Sequence, residues 1–181
     1  TSLSESVERN DLLVKLTCRI AVDPTRCILI LTKRKTHAKL LQSALRTRGL
    51  TVSIMTGTQK EYDKTAQVLI GTYSKLGVGF DDSRLNTLIV ACSVTEIEQY
   101  AGRLRDGLGK TRVIYDLVDT DGNCIKHWTD RKKWYVSRKG VIRSLDPAVL
   151  DSADEPLHLV SEGSDTPHSP QKYKRLAQAA A

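Results

Sequence analysis

Apolar residues recur along the first 120 residues in two alternating patterns, one typical of helices and the other of buried strands. Leu12, Leu13, Leu16 and Ile20 have helical spacing and predict a helix over residues 3–20. The Asp-Pro pair at 23–24 ends it. A continuous apolar run over residues 26–32 then predicts a strand that is buried on both faces.

The same alternation continues downstream. Thr36 is the expected N-cap of a helix that runs through Arg48 and stops at Gly49. Four further strands and one helix are predicted, at residues 51–55, 67–71, 85–92 and 112–117 for the strands and 95–105 for the helix. The 55–67 connection has room for only a turn or a short helix. This order predicts an α/β fold with a parallel sheet and helices on both faces.

The last quarter of the chain changes character. After a turn at 120–123, residues 124–139 predict an amphipathic helix that docks its aromatic side chains on the sheet. The basic residues expected on its exposed face are Lys126, Arg131, Lys132, Lys133, Arg138 and Lys139. Acidic, Ser and Pro residues dominate from Ser144 onward, which predicts a disordered tail. We therefore expect one folded domain over 1–143 and a tail over 144–181.

The net charge and the cysteine content restrict the kinds of partner, metal site and compartment that we expect. The net charge of +7 favours a polyanion such as nucleic acid, although solvated lysines alone give the same value. The four cysteines are dispersed and the four histidines form no cluster, so we expect a reducing compartment and no metal site of their own. No apolar run reaches the roughly 20 residues of a membrane span, so no membrane partner is expected. The chain begins at Thr1, which suggests a fragment of a longer protein.

The segment after the third predicted strand has the composition of a ligand-binding loop. It leaves the carboxyl end of a buried strand, where open parallel sheets bind ligands. Thr72 and Ser74 offer hydroxyls to phosphate, and Gly77 and Gly79 allow close backbone approach. Asp81 offers a carboxylate to a ribose hydroxyl. An ordinary strand-to-helix loop would have similar turn residues.

The predicted helix over 95–105 has an unusual concentration of polar groups. Gln99 and Arg103 are four residues apart and share a helix face, with Gly102 between them and Arg105 beyond. Arginine suits bidentate phosphate contact and stays charged. The alternative is a surface helix with salt bridges.

A Gly-Lys-Thr sequence at 109–111 is not a phosphate-binding P-loop. The pattern requires a glycine five positions before Gly109, where Leu104 stands, and it must open a helix rather than precede a strand.

In this order the elements resemble the second RecA-like domain of superfamily 2 helicases. The basic loop over 31–35 is similar to motif IV, residues 72–81 to motif V and residues 99–105 to motif VI. The resemblance covers roughly residues 10–139. Its C-terminal part is similar to the DEAD/H-like, type III restriction-subunit-like helicases of phages and large DNA viruses, on Asp116 to Asp119 and then His127, Trp128, Arg131 and Tyr135.

The resemblance implies that ATP with Mg²⁺ binds between this domain and an N-terminal RecA-like partner of the same protein, which supplies the P-loop. Arg103 would reach the γ-phosphate and Gln99 would link the helix to the ATP site. The loop residues implied at the sugar side of the nucleotide are Gly77, Gly79 and Asp81. The residues implied at the backbone of single-stranded or duplex nucleic acid, DNA or RNA, are Lys33, Arg34, Thr56, Gly57, Thr72 and Ser74.

The sequence departs from the family at one arginine. The pattern Q-x-x-G-R-x-x-R requires arginine at position 106, which is Asp106, and Arg105 lies one residue early. Either Arg105 takes that role or the second arginine is absent.

Three functional hypotheses follow. The leading one is the C-terminal motor half of an ATP-dependent helicase or translocase, inactive alone and located in the cytoplasm, nucleus, virion or virus factory. The second is a non-catalytic nucleic-acid-binding or adaptor domain of RecA-like fold. The third, a Rossmann-type enzyme, lacks the glycine fingerprint after its first strand.

Overall fold

The computed structural model describes residues 3–77, 79–106 and 111–151, and the backbone of 173–180. The strands are β1 (Ile28–Thr32), β2 (Val52–Met55), β3 (Val68–Thr72), β4 (Thr87–Val90), β5 (Val113–Asp119), β6 (Ile142–Leu145) and β7 (Tyr173–Ala180). The helices are α1 (Val7–Ala21), α2 (Lys35–Thr47), α3 (Tyr73–Leu76), α4 (Glu98–Ala101) and α5 (Gly122–Ser137), with short 3-10 turns at Leu3–Glu5 and Pro147–Asp151.

The strands form one sheet in the order β2-β3-β1-β4-β5-β7-β6, and the first five run parallel. Ile30 of β1 lies opposite Ile70 on one side and Ile89 on the other. Every residue of β1, β3 and β4 is buried, which explains why their sequences are continuously apolar instead of alternating. The predicted parallel α/β sheet is confirmed.

Helices cover both faces of the sheet, as predicted. Alternate residues of β1 serve the two cores, with Ile28 and Ile30 facing one and Leu29 and Leu31 the other. Helices α1 and α2 pack on the first core, whereas α3, α4 and α5 contribute to the second. The second core therefore lies beneath the segments that carry the predicted site residues.

Helix α2 begins two residues earlier than predicted. Arg34 is its N-cap, without a side-chain capping hydrogen bond, and Thr36 lies inside the first turn, so the predicted Thr36 cap is wrong. The Thr32 hydroxyl donates to the Arg34 carbonyl at 3.3 Å and fixes the chain just before the helix. The expected glycine stop is confirmed, since Gly49 has φ +84° directly after the last turn.

The helix predicted over 95–105 is much shorter in the structure. Helix α4 ends at Ala101, and the chain continues in tight turns in which Arg103 and Leu104 donate backbone hydrogen bonds three residues back. The Arg105 amide then donates to the Leu85 carbonyl at 2.7 Å. This contact with the segment before β4 turns the chain away from the helix axis, and local sequence does not encode it.

The C-terminal region agrees with the prediction in part. The helix predicted over 124–139 is present as α5, which begins and ends two residues earlier. Beyond Ser144, where the sequence predicts a disordered tail, the described residues include most of β6, the Pro147–Asp151 turn and β7, which pairs antiparallel with β5 and β6. The physical reason is that the outer edge of β5 has unpaired backbone groups that a further strand satisfies. Residues 152–172 and 181, and the Gly109-Lys110 pair, lie outside the described residues.

Candidate nucleotide and nucleic-acid site

The residues predicted to bind ligands follow the carboxyl ends of neighbouring parallel strands. Lys33 and Arg34 follow β1, Thr56 and Gly57 follow β2, and Ser74 comes just after β3. The carboxyl ends of parallel strands lie at one edge of the sheet, so the fold brings these residues to a common edge. Their binding roles stay predictions.

Arg103 is held against the loop that follows α3. Its Nη2 donates to the Gly77 carbonyl at 2.6 Å, and its Nε donates to the Gln99 carbonyl at 2.8 Å. The guanidinium carbon also lies 5.8 Å from the centre of the Phe80 ring, within cation–π range. Arg103 therefore ties the segment after α4 to the glycine-containing loop, which places the two predicted nucleotide-binding segments side by side.

The short helix α4 is positioned by two tyrosines. The Tyr100 hydroxyl donates to the Tyr73 carbonyl at 2.8 Å, and the two rings meet edge to face with centres 5.1 Å apart. This packing fixes α4 on α3. Gln99 lies on the outer side of α4 with an exposed side chain, which hydrogen-bonds to the Tyr100 side chain.

Arg105 and Asp106 have different environments. Arg105 donates through Nη1 to the Gly102 carbonyl at 2.8 Å and forms an exposed ion pair with Asp81 at 3.4 Å. Asp106 accepts from the Arg112 amide at 3.1 Å. The position that the family pattern assigns to an arginine thus holds an acidic side chain that binds the Arg112 amide just before β5.

In the loop between α3 and β4, the adjacent carboxylates of Asp81 and Asp82 have different environments. Asp82 is buried and accepts from the Tyr62 hydroxyl at 2.9 Å and from Arg84 at 2.7 Å. Although burial acts to raise it, the pKa of Asp82 is lowered by these hydrogen bonds. Asp81 is 69% exposed in its side chain. Asp82 is therefore structural, and Asp81 is the carboxylate that faces outward.

The glycines of this loop are not equivalent. Gly79 has φ +71°, which favours glycine, and no heavy atom lies within 4 Å of the position a Cβ would occupy. Its backbone is therefore open to a ligand. Gly77 has ordinary helical geometry and ends α3, and its carbonyl is the acceptor for Arg103.

The predicted hydroxyl ligands are partly engaged within the protein. The Thr72 and Ser74 hydroxyl oxygens lie 3.4 Å apart, with Thr72 buried and Ser74 exposed. The Thr56 amide donates to the Gln59 side chain at 3.0 Å, and its hydroxyl lies 3.3 Å from the same oxygen. Ser74 is thus the more accessible of the predicted hydroxyl donors.

Lys35 is a further basic residue at this edge that the sequence prediction left out of the site. Gly57 has φ +62°, and a Cβ there would lie 2.7 Å from Lys35 Nζ. The lysine ammonium therefore lies directly over the glycine. Lys33 and Arg34 are exposed beside it, with Arg34 3.6 Å from Glu5.

Two buried arginines, one from each face of the sheet, hold the segment that leads from β4 to α4. Arg9 of α1 binds both oxygens of Asp119, at 2.8 and 3.0 Å, and donates to the Ala91 carbonyl. Arg131 of α5 binds both oxygens of Asp116, at 2.7 and 2.8 Å, and donates to the Val94 carbonyl.

The expected exposure of Arg131 is wrong, because the side chain is 1% exposed. Its helical position explains this: Arg131 lies four residues before Tyr135, whose hydroxyl donates to the same Asp116 at 2.9 Å. The signals in the sequence were this spacing and the two aspartates within an apolar strand, since a buried carboxylate requires a cationic partner.

Over residues 3–77, 79–106 and 111–151, no group of three His, Cys, Asp or Glu side chains is arranged to hold a metal ion. None of the helices described is long and apolar enough to cross a membrane.

Iridovirus proteins resemble this chain in sequence. It is 38% identical over 100 residues to protein 108L of Invertebrate iridescent virus 3, covering 55% of this chain and 96% of that protein. It is 36% identical over 94 residues to protein 161L of Invertebrate iridescent virus 6, and 35% identical over 136 residues to protein 055L of Frog virus 3; both carry provisional helicase names. These matches cover 51% and 74% of this chain but only 21% and 30% of the two helicase-named proteins. No established family profile matches the sequence.

Solved structures resemble its fold. The C-terminal domain of the DEAD-box protein Dbp5 has a TM-score of 0.58 and 18% identity, covering 73% of this chain and 81% of that domain. Dbp5 of S. cerevisiae bound to RNA and ADP BeF3 has a TM-score of 0.54 and 20% identity, covering 70% of this chain and 36% of that protein. The chain therefore belongs to an iridovirus family with helicase-named members, and its fold is that of the C-terminal RecA-like domain of superfamily 2 helicases.

Proposed function

We propose that this chain is the C-terminal motor half of an ATP-dependent nucleic-acid helicase or translocase. In this proposal it supplies the arginine side of an ATP site and part of a track for the nucleic-acid backbone. The helicase-named relatives support the class of protein, and the RNA and ADP BeF3 bound to Dbp5 support the classes of ligand.

The observation that carries the proposal is the contact of Arg103 with the Gly77 carbonyl at 2.6 Å. It sets an arginine beside a loop with open backbone at Gly79 and an outward carboxylate at Asp81. These groups fit a nucleotide, since open backbone and a carboxylate suit a ribose and a guanidinium suits phosphate. Arg103 would stabilise negative charge that develops on the phosphates, with Gln99 beside it.

The residues described here do not supply the remainder of an ATP site. Mg²⁺ prefers carboxylates together with substrate phosphates, and the described residues present no carboxylate cluster for it. We therefore assign Mg²⁺ and the triphosphate mainly to an N-terminal RecA-like half of the same protein. The isolated chain is then expected to hydrolyse no ATP.

The nucleic-acid track is proposed along the edge formed by β1, β2 and β3. Lys33, Arg34, Thr56 and Gly57 would contact the phosphate backbone, together with Thr72 and Ser74. Contacts of this kind position a strand without reading its sequence. DNA and RNA are both compatible with them, and the proposed location is inside infected cells, in the virion or in a virus factory.

Substitution of Arg103 tests the proposal. In the protein that joins this chain to a P-loop half, Arg103→Ala is expected to lower ATP turnover by about 1,000-fold or more, the usual contribution of such an arginine. Arg48→Ala, an exposed arginine at the end of α2, is the matched control and should leave turnover unchanged. Unchanged turnover in Arg103→Ala, with circular dichroism showing a folded protein, would contradict the assignment.

A second candidate is a non-catalytic nucleic-acid-binding or adaptor domain. Asp106, which stands at the position of the second arginine, favours this candidate. Protein 108L favours it too, because the match to this chain covers 96% of that protein and leaves little room there for a P-loop half. Under this reading the chain binds nucleic acid with no dependence on ATP, and the joined protein shows no turnover. An increase in ATP turnover when single-stranded nucleic acid is added would support the motor function and contradict this second candidate.

A further inference from the structure

Helix α5 presents a basic surface that none of the proposed motor roles uses. The surface, named here the α5 basic face, consists of the exposed residues Lys126, Lys132, Lys133 and Lys139. We propose that it is a second binding surface for the phosphate backbone of a nucleic-acid strand, separate from the track at β1, β2 and β3.

The geometry of α5 places two of these charges on the side away from the core. Successive residues of an α-helix turn by about 100°, so Lys126 and Lys133, seven residues apart, point in nearly the same direction and lie about 10 Å apart along the axis. Cys124, Arg131 and Tyr135 are buried on the opposite side. Thr129 and Ser137 lie between and beside the two lysines, and they add hydroxyl groups to the same face.

These charges are largely uncompensated. Among the described residues, an acidic partner within ion-pair distance is found for Lys133 alone, Asp130 at 3.5 Å, in an exposed pair of little energetic value. A row of lysines with few acidic neighbours attracts a polyanion. Long-range attraction and phosphate contact both follow from such an arrangement.

Lys139 adds an independent observation. It has φ +59°, a left-handed conformation that favours glycine, at the position just after the helix where glycine is usual. Gly140, which would adopt this conformation without strain, comes one residue later. The chain therefore holds a lysine in a strained backbone at the end of the α5 basic face.

A nucleic acid fits this face better than a lipid surface does. A membrane-bound amphipathic helix inserts its apolar face among the lipids. The apolar face of α5 is occupied, because Tyr135 is buried and Trp128 and Trp134 pack against the core. The free surface of α5 carries the lysines and other polar groups, and its exposed apolar side chains, Ile125 and Val136, are too few to form an inserting face.

The start of α5 lies near the sheet edge that carries the proposed track. Helix α5 begins three residues after the carboxyl end of β5, and the carboxyl ends of the parallel strands share one edge of the sheet. The Ser93 hydroxyl and His127 Nδ1 are 2.9 Å apart, which joins the second turn of α5 to the exit of β4. Strands β1 and β5 are separated only by β4, so their axes lie about 10 Å apart.

The test uses the chain itself and a fluorescent 20-nucleotide single strand in an anisotropy titration over a range of salt concentrations. The Lys126→Glu/Lys133→Glu double variant is expected to lower affinity by about 10-fold or more, and to reduce the slope of log K against log salt by about 1.4, or about 0.7 for each lost contact. Arg48→Glu/Lys64→Glu, with the same charge change at exposed positions elsewhere, is the matched control and should change affinity by less than about 3-fold. Lys126→Arg/Lys133→Arg should bind like the wild type.

Each outcome separates this inference from the proposed function. Loss of binding in Lys33→Glu/Arg34→Glu with none in the α5 variant would overturn the α5 surface and leave the track. Loss in the α5 variant alone would support α5 and contradict the track. Equal loss in the Arg48→Glu/Lys64→Glu control, or binding to phosphatidylserine vesicles without binding to the oligonucleotide, would overturn the inference.

Discussion

Arg131 and Asp116 form a buried, two-pronged ion pair that joins helix α5 to strand β5, with N–O distances of 2.7 and 2.8 Å. Arg9 and Asp119 repeat the arrangement from the other face of the sheet. Each arginine also donates to a carbonyl between β4 and α4. The two pairs therefore hold the segment that leads from β4 to α4, just ahead of Gln99 and Arg103, and they connect the packing of both faces to the candidate site.

Asp116→Ala is expected to lower the free energy of unfolding by about 3–5 kcal/mol, because it leaves the Arg131 guanidinium buried without a counter-charge. Urea unfolding followed by circular dichroism measures the change. The exposed Lys133–Asp130 pair is the control, and Asp130→Ala should cost less than about 1 kcal/mol.

The double variant Asp116→Leu/Arg131→Met should recover most of the loss, since replacing a buried ion pair by apolar side chains removes two desolvation penalties. If the double variant were as unstable as Asp116→Ala, the pair would owe its value to its hydrogen bonds with Val94 and Tyr135 rather than to charge compensation.

The strands could be predicted from sequence, whereas the connections that shape the site could not. The continuous apolar run of β1 requires burial on both faces, and this alone indicates a parallel sheet. Helix α4 is short because the Arg105 amide binds the Leu85 carbonyl, a contact between segments twenty residues apart. The burial of Arg131 likewise depends on Asp116 of another element, so counting basic residues along α5 placed it wrongly on the surface.

His37 gives stability that depends on pH. It is buried with its ring Nε2 2.8 Å from Asn10 Oδ1 and Nδ1 3.7 Å from Cys92 Sγ. The Asn10 amide nitrogen already donates to the Ser4 carbonyl, so Oδ1 is the acceptor and neutral His37 donates through Nε2. Burial, with the nearby Arg9 charge, lowers the pKa of His37 from 6.5 to about 4.

The unfolded chain therefore binds the His37 proton more readily than the folded chain does. Stability from this group is complete above pH 6.5 and is lost as the pH falls towards 4, by about 3 kcal/mol in all. Urea unfolding between pH 7 and 4 should show that His37→Gln, which cannot gain this proton, escapes that loss. Parallel pH curves for the two proteins would rule out the effect.

Gly71 is required by close packing rather than by backbone conformation. A Cβ at this position would lie 2.2 Å from Leu76 Cδ1, and Leu76 is fully buried in the core beneath the α3 loop. Gly71→Ala is therefore expected to destabilise the protein by about 1–3 kcal/mol through overpacking. Gly122→Ala is the control: it starts α5 with no atom within 4 Å of a Cβ, and we expect a change between zero and a gain of about 1 kcal/mol.

Substitution of Arg105 tests whether the displaced second arginine contributes to ATP turnover, and this prediction rests on the proposed function. Its ion pair with Asp81 is exposed on both sides, at 47% and 69%, so Arg105→Ala should change stability by less than about 1 kcal/mol. The side chain nevertheless lies beside the outward carboxylate of the candidate nucleotide loop. In the joined two-domain protein we therefore expect Arg105→Ala to lower ATP turnover by about 100-fold, the usual effect of losing one charge-stabilising donor.

Moving the guanidinium from position 105 to position 106 distinguishes the effect of its position on turnover from the effect of its charge. Arg105→Ala/Asp106→Arg restores the family spacing and the net number of arginines, and turnover measured at saturating ATP should partly recover. Asp106→Asn is the control, because it removes the carboxylate that accepts from the Arg112 amide without adding a guanidinium. Full turnover in Arg105→Ala would show that Arg103 acts without a second arginine. Recovery in the double variant but not in Asp106→Asn would instead show that a guanidinium at this edge is needed and that its exact residue number is not.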